Sequence, residues 1–257
     1  MTRGVRCRHT TTTTTTSSVL MMSSFSVAAK IPSTTTTTTG QRRRRRRYRR
    51  RLFEAARCAS SSSSSPYYVE NVLDENALGI VREEFVKTSF VGRLRAEKAS
   101  FAKNRRCASL SPIGPSYRDV ISSATTIRKL REITGEPTLT LGDFPAELRV
   151  CDVGSEMDWH VDPELYDPPQ WECVFTIDND SDSVTEWESP DDTTDTTTSC
   201  WTAPGSALIF RAGGVKRHRV KPSTFGSRVI VKALYVCEKR VKTEAFADAL
   251  DTAPWRR

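Results

Sequence analysis

Histidine is scarce in this 257-residue chain, with three residues at positions 9, 160 and 218. His9 stands in low-complexity sequence, so a site needing two imidazoles must use His160 and His218. Cys-x-x-Cys is absent, and the seven cysteines fall into no zinc-ligand spacing. Cys107, Cys151, Cys173, Cys200 and Cys237 follow the N-terminal segment, several inside apolar runs. They read as small buried side chains in a reducing compartment. No run of about 18 apolar residues occurs, which excludes a helical membrane span. Acid is almost missing from residues 1–66, where Glu54 faces fourteen Arg and Lys for a net +13. Because the whole chain is +8, residues 67–257 carry −5. The basic character belongs to the N-terminal segment. The remainder gives no electrostatic reason to bind nucleic acid.

What fills residues 1–66 cannot build a core. Thr10–Thr16, Thr34–Thr39 and Ser60–Ser65 are polar runs, and Arg42–Arg47 with Arg49, Arg50 and Arg51 form a self-repelling block. The expectation is a disordered tail. Its Arg, Ser and Thr content with little acid matches organellar transit peptides. The apolar patch Val19–Met22 and the stretch from Phe25 to Ala29 suit a two-step import route, plastid first and mitochondrion second. Competing readings are a solvated repeat expansion, a start at Met21 or Met22, and a nuclear or RNA-binding arginine patch.

The folded part begins near Pro66. Tyr67 to Val72 reads as a strand, and Asp74 caps a helix from Glu75 to about Ser89. Gly92 to Asn104 reads as a strand and then a loop. Ser116 caps a second helix with Val120, Ala124, Ile127 and Leu130 inward, stopped at Gly135. From Thr138 the period changes. Glu147–Val153, Trp171–Ile177, Ala207–Phe210 and Val229–Val236 read as strands. Asp178 to Asp195, with eight acids, reads as exposed loop. The expected class is mainly β, an antiparallel sandwich or jelly roll with the helix pair on the outside of one sheet.

The chemistry gathers at Met157-Asp158-Trp159-His160-Val161-Asp162. In an extended segment, side chains two apart share a face, so His160 and Asp162 can aim at one point. His218 is the imidazole available to complete the set. Two histidines and one carboxylate on one side of a metal form the facial triad of non-haem Fe(II) sites. The bland readings are a half-buried strand histidine at 160 and a surface residue among Lys216, Arg217 and Arg219 at 218. Asp158 and Glu164 read as groups behind the site or at its rim. Trp159, Trp171, Trp187 and Trp201 read as core or pocket-rim residues.

At these residues the chain resembles the Fe(II)- and 2-oxoglutarate-dependent dioxygenase superfamily. The pattern is His-x-Asp, a long middle section, a distal His, and a basic residue about ten positions later, here His160, Asp162, His218 and Arg228. The Pro204-Gly205 turn, the apolar strand after it and Gly213-Gly214 are similar too. The resemblance spans roughly residues 67–240. It implies a double-stranded β-helix with Fe(II) held by His160, Asp162 and His218, 2-oxoglutarate as cosubstrate, and O2 as oxidant. It implies that Arg228 grips the far carboxylate, since guanidinium forms two parallel hydrogen bonds to one. The competing reading of Arg228 is a strand arginine facing water; Lys232, on the same face of the strand, is a lesser candidate. The layout is nearest the prolyl-hydroxylase-like branch.

The expectation is therefore two parts, a tail over 1–66 and an oxygenase domain over 67–257. Its reaction is hydroxylation of a small molecule or protein side chain, with release of succinate and CO2. A non-catalytic metal-binding barrel, and an RNA-binding protein acting through the tail, are the alternatives.

Overall fold

A computed structural model describes residues 66–87, 90–97, 99, 101–110, 114–189, 197–253 and 255. The tail expected over 1–66 lies outside the described residues except for Pro66, as does the tip of the acidic stretch at 190–196.

Strand β1 (Tyr67–Val69) leads into helix α1 (Glu75–Lys87), short helix α2 (Phe90–Arg93), β2 (Arg95–Ala96) and β3 (Ala102–Ser109). Helices α3 (Pro115–Ile121) and α4 (Ala124–Thr134) follow, then β4 (Thr140–Leu141), β5 (Glu147–His160), β6 (Tyr166–Asp167) and β7 (Trp171–Asn179). The chain continues through β8 (Thr185–Glu188), β9 (Thr197–Cys200), β10 (Ala207–Arg211), β11 (Arg217–Val220), β12 (Arg228–Val236) and β13 (Val241–Lys242). Helix α5 (Glu244–Thr252) closes it.

The main sheet runs β1-β10-β7-β12-β5-β11-β8-β9, with β3 joined to β5. Every pairing in it is antiparallel. Long β5 serves two sets of partners. Glu147 to Cys151 pair with β12, whereas Met157 and His160 pair with β11. Between them Gly154 has φ +75°, a left-handed conformation that glycine adopts without cost. That bend carries β5 from one layer of the jelly roll to the other and delivers His160 opposite β11. Among the described residues no helix is long and apolar enough to cross a membrane.

The expected helices lie outside one sheet. Leu78 and Val81 of α1, Val120 and Ile121 of α3 and Leu130 of α4 pack in one core with Cys173, Phe175 and Ile177 of β7 and Val229, Val231, Ala233 and Tyr235 of β12. Tyr235 Oη donates to the Ile121 carbonyl at 2.6 Å, tying sheet to helix. Asp74 caps α1, accepting from Ala77 N–H at 2.8 Å. Cys107, Cys151, Cys173 and Cys200 are buried and all five described cysteines are free thiols.

Four expectations are corrected. The single helix capped by Ser116 is two helices; Pro115 opens α3, and Ser123 caps α4 by accepting from Thr126 N–H at 3.1 Å. Its stop at Gly135, in the left-handed conformation, stands. The basic segment near residue 104 is not loop but β3, because Arg105 and Arg106 find Glu97 and Asp152 as partners. The acidic stretch holds strand β8. Glu186 and Glu188 are buried there because they face Arg219 and Arg217 across the β8–β11 pair, with hydrogen bonds at 2.8 Å in each. Trp159 is neither core nor pocket rim: it lies half-buried on the outside, with the Arg217 and Arg219 guanidiniums 4.9 and 4.6 Å from its ring centroid.

Candidate metal and cosubstrate site

Strand geometry assembles the three candidate ligands. His218 on β11 stands in register with His160 on β5, with ring centroids 4.1 Å apart. Asp162 follows two residues after His160, and its Oδ2 lies 3.3 Å from His218 Nε2. One ligand atom from each of the three lies within 4.8 Å of the others. His160 Nδ1 is 2.8 Å from the Asp158 carbonyl, which can only accept, so Nδ1 carries the proton and Nε2 offers its lone pair. Burial, helped by the neighbouring His218, pushes the His160 imidazole down to about 4, so it is neutral near pH 7. Burial would raise the Asp162 carboxyl, but Lys232 and His218 outweigh it and hold it well below the ordinary value. The neutral His160 imidazole, the His218 imidazole and an ionised carboxylate are a donor set that suits Fe(II). Phe101 stacks on His160 at 5.1 Å and packs the ring from the solvent side. Asp158 and Glu164 have exposed side chains and stay outside the cluster.

Arg228 points inward. It is 2% exposed, the largest of the fully buried side chains. Its Nη1 donates to Thr185 Oγ1 at 3.3 Å, while Nε and Nη2 have no hydrogen-bond partner. A buried cation without a counter-ion is costly, and an entering carboxylate would satisfy it. A cavity of about 80 Å³ joins His160, Asp162 and His218 to Arg228 and Thr185, walled by Leu208, Phe210 and Ile230. The alternation expected for β12 holds: Arg228, Ile230 and Lys232 line this cavity, and the intervening residues enter the helix-side core.

Lys232 does more than its sequence position suggested. Its ammonium lies 3.1 Å from Asp162 Oδ2 and 2.7 Å from Glu172 Oε2. Glu172, on β7, was not singled out in the sequence; its signal was an acid inside an apolar strand. Gly213, at φ +73°, adopts a left-handed conformation that other residues rarely take, so the bend before His218 favours glycine.

No protein-family model and no curated protein matches this sequence. Solved structures do match. The non-haem α-ketoglutarate-dependent epimerase SnoN from nogalamycin biosynthesis superposes with a TM-score of 0.60 at 12% identity, over 79% of this chain and 89% of that one. A 2OG-Fe(II) oxygenase-family oxidoreductase from Burkholderia pseudomallei gives 0.59 at 10% identity, over 75% and 94%. A prolyl-4-hydroxylase from Pseudomonas putida gives 0.53 at 14% identity, over 73% and 99%. The fold is that of the Fe(II)- and 2-oxoglutarate-dependent oxygenases. Within that oxygenase fold, the sheet that bears the His160–His218 pair also bears Arg228, so one cavity reaches all three.

Proposed function

We propose that this chain is an Fe(II)- and 2-oxoglutarate-dependent oxygenase that hydroxylates its substrate and releases succinate and CO2. The observation that carries the reading is the shared cavity, with a facial donor set at one end and a buried, unsatisfied guanidinium at the other. His160 Nε2, Asp162 and His218 would hold the metal. With 2-oxoglutarate and O2, the metal supplies the oxidising power that exchanges a substrate C–H for C–OH.

The protein's own residues do the rest. The Asp158 carbonyl fixes the tautomer and angle of His160. Asp162 supplies the negative charge of the site. Arg228 and Thr185 offer donors to the far carboxylate of the cosubstrate, in surroundings where leucine, phenylalanine and isoleucine exclude water. The intact donor set speaks against the alternative of a barrel that has lost turnover. The folded part's net negative charge speaks against nucleic acid as partner.

We also infer that residues 1–66 carry an import signal, plastid first and mitochondrion second. Their composition, rich in Arg, Ser and Thr with one acid, supports it.

The test of the oxygenase reading is iron stoichiometry and cosubstrate decarboxylation by the full-length chain. One Fe(II) per chain and iron-dependent conversion of labelled 2-oxoglutarate to succinate are expected. Asp162→Ala should lose iron, since it removes the anionic ligand. Unchanged iron content in both His160→Ala and Asp162→Ala would overturn the assignment.

A further inference from the structure

Asp162 is held by more than its place two residues after β5. Two side chains from other strands close on its carboxylate inside the barrel. Lys232 of β12 sets its ammonium 3.1 Å from Asp162 Oδ2 and 2.7 Å from Glu172 Oε2. Glu172 of β7 is buried and hydrogen-bonded to Asp162. Burial and the neighbouring Asp162 push its carboxyl up to about 8, so near pH 7 it carries a proton and donates it to the Asp162 carboxylate. Lys232 stays charged: burial would lower its pKa, but Asp162 and Glu172 outweigh that.

Packing alone does not account for this pair. An ammonium so shielded from solvent is costly, and a methionine at 232 would fill the same space without that cost. Lys232 and Glu172 each make the other tolerable, which leaves the pair as a unit to be explained. What they share is Asp162. A free carboxylate can turn and chelate a cation through both oxygens. Here Oδ2 is engaged by the ammonium and the group also accepts from Glu172, so its rotation is fixed. Lys232 also engages Glu172, a second carboxyl that would otherwise be an anionic donor beside the metal.

We propose that Lys232 and Glu172 are positioning residues that hold Asp162 as a one-oxygen ligand and keep Glu172 from joining His160, Asp162 and His218 as a fourth donor. The proposal rests on the oxygenase reading and deepens it, because positions kept clear of protein oxygens are those that 2-oxoglutarate and O2 require. It carries a distinctive consequence. Lys232 lowers metal affinity, since its charge competes with the metal for the same carboxylate.

The probe is Co(II) alone, titrated into the full-length chain without 2-oxoglutarate. Its visible d–d absorption reports the number and arrangement of donors. Lys232→Met should bind Co(II) roughly tenfold or more tightly than wild type, because a cation against the ligand carboxylate is gone. Its absorption should change as further carboxylate oxygens enter. Lys232→Arg, which keeps a cation there, should keep the wild-type spectrum. Adding Glu172→Gln to Lys232→Met should return the absorption toward wild type while affinity stays raised, because the amide still donates to Asp162 but offers no anionic oxygen. In that double variant the ammonium and its acid leave together, so it gives the affinity reading even if Lys232→Met does not fold. A merely structural ion pair predicts the reverse, unchanged or weaker Co(II) binding with an unaltered spectrum, and either result would overturn the proposal. The two readings fail separately. Co(II) binding no better to wild type than to His160→Ala would overturn the metal site itself. Co(II) binding that needs His160 but is indifferent to Lys232→Met would overturn the positioning role alone.

Discussion

Arg228 is a guanidinium held among leucine, phenylalanine and isoleucine with two of its nitrogens unsatisfied. Desolvation destabilises its charge and lowers its pKa, so an arriving carboxylate stabilises the protein as well as docking the cosubstrate. Removing one charge-assisted contact in such surroundings costs about 2–5 kcal/mol. Arg228→Ala should therefore weaken 2-oxoglutarate binding by some tens- to thousands-fold. Iron content should be unchanged, because Arg228 is not among the donors. Arg228→Lys should restore only part, since an ammonium cannot form the planar fork. A 2-oxoglutarate titration of Arg228→Ala matching wild type would reassign the residue to structure. At this scale much was legible in the sequence. Histidine scarcity left one imidazole to pair with His160-x-Asp162, and alternation put Arg228 and Lys232 on one face. Glu172 was not legible, because nothing in an apolar strand tells which distant cation faces its acid.

The β2–β3–β5 corner shows how elements carry the charges behind the site. Arg105 donates to both Glu97 oxygens, at distances from 2.7 to 2.9 Å, and both side chains are almost fully buried. Burial pushes the Glu97 carboxyl up, but Arg149 and Arg105 outweigh it and hold it below its ordinary value of 4.5. A carboxyl depressed on folding contributes stability that is present above its unfolded pKa and lost as pH falls through the folded one. The corner should thus stay intact near pH 7 and begin to weaken below about pH 4.5. Glu97→Gln should destabilise the chain by about 3–5 kcal/mol, since it strands buried Arg105. It should also flatten the acid limb of a denaturation-versus-pH profile. Parallel profiles for variant and wild type would show that Glu97 adds nothing there. This corner also explains where the sequence misled. β3 reads as Lys-Asn-Arg-Arg, poor in strand formers, and becomes a strand because Glu97, Asp152 and Glu156 neutralise it from neighbouring segments. β8 was hidden in an acidic run for the mirror reason, its acids being matched by arginines about thirty residues on. By contrast β7, β10 and β12 needed no distant partner and were visible from pattern alone.

At the scale of the whole chain, the candidate chemistry and the packed clusters lie in residues that follow the N-terminal segment. The three packed clusters draw on residues from Tyr67 to Trp255, and the candidate donors and Arg228 lie between 160 and 228. A chain beginning at Pro66 should therefore keep its iron stoichiometry and its thermal stability, within about 0.5 kcal/mol, the range of changes away from core features. The import signal we infer would act before or apart from folding, since arginine, serine and threonine runs present no apolar face to dock on a domain. Two fusions of opposite content separate the roles. Residues 1–66 fused to a fluorescent reporter should carry it into the plastid of a plastid-bearing cell, with the mitochondrion as second destination. The same reporter fused to residues 67–257 should remain where it is made. If the first fusion stays in the cytosol, the segment is no import signal. If it gathers in the nucleus, the nine arginines between 42 and 51 act as a basic patch for nuclear or nucleic-acid contacts instead. Either result would leave the oxygenase reading untouched, because the truncated chain tests that by iron content alone.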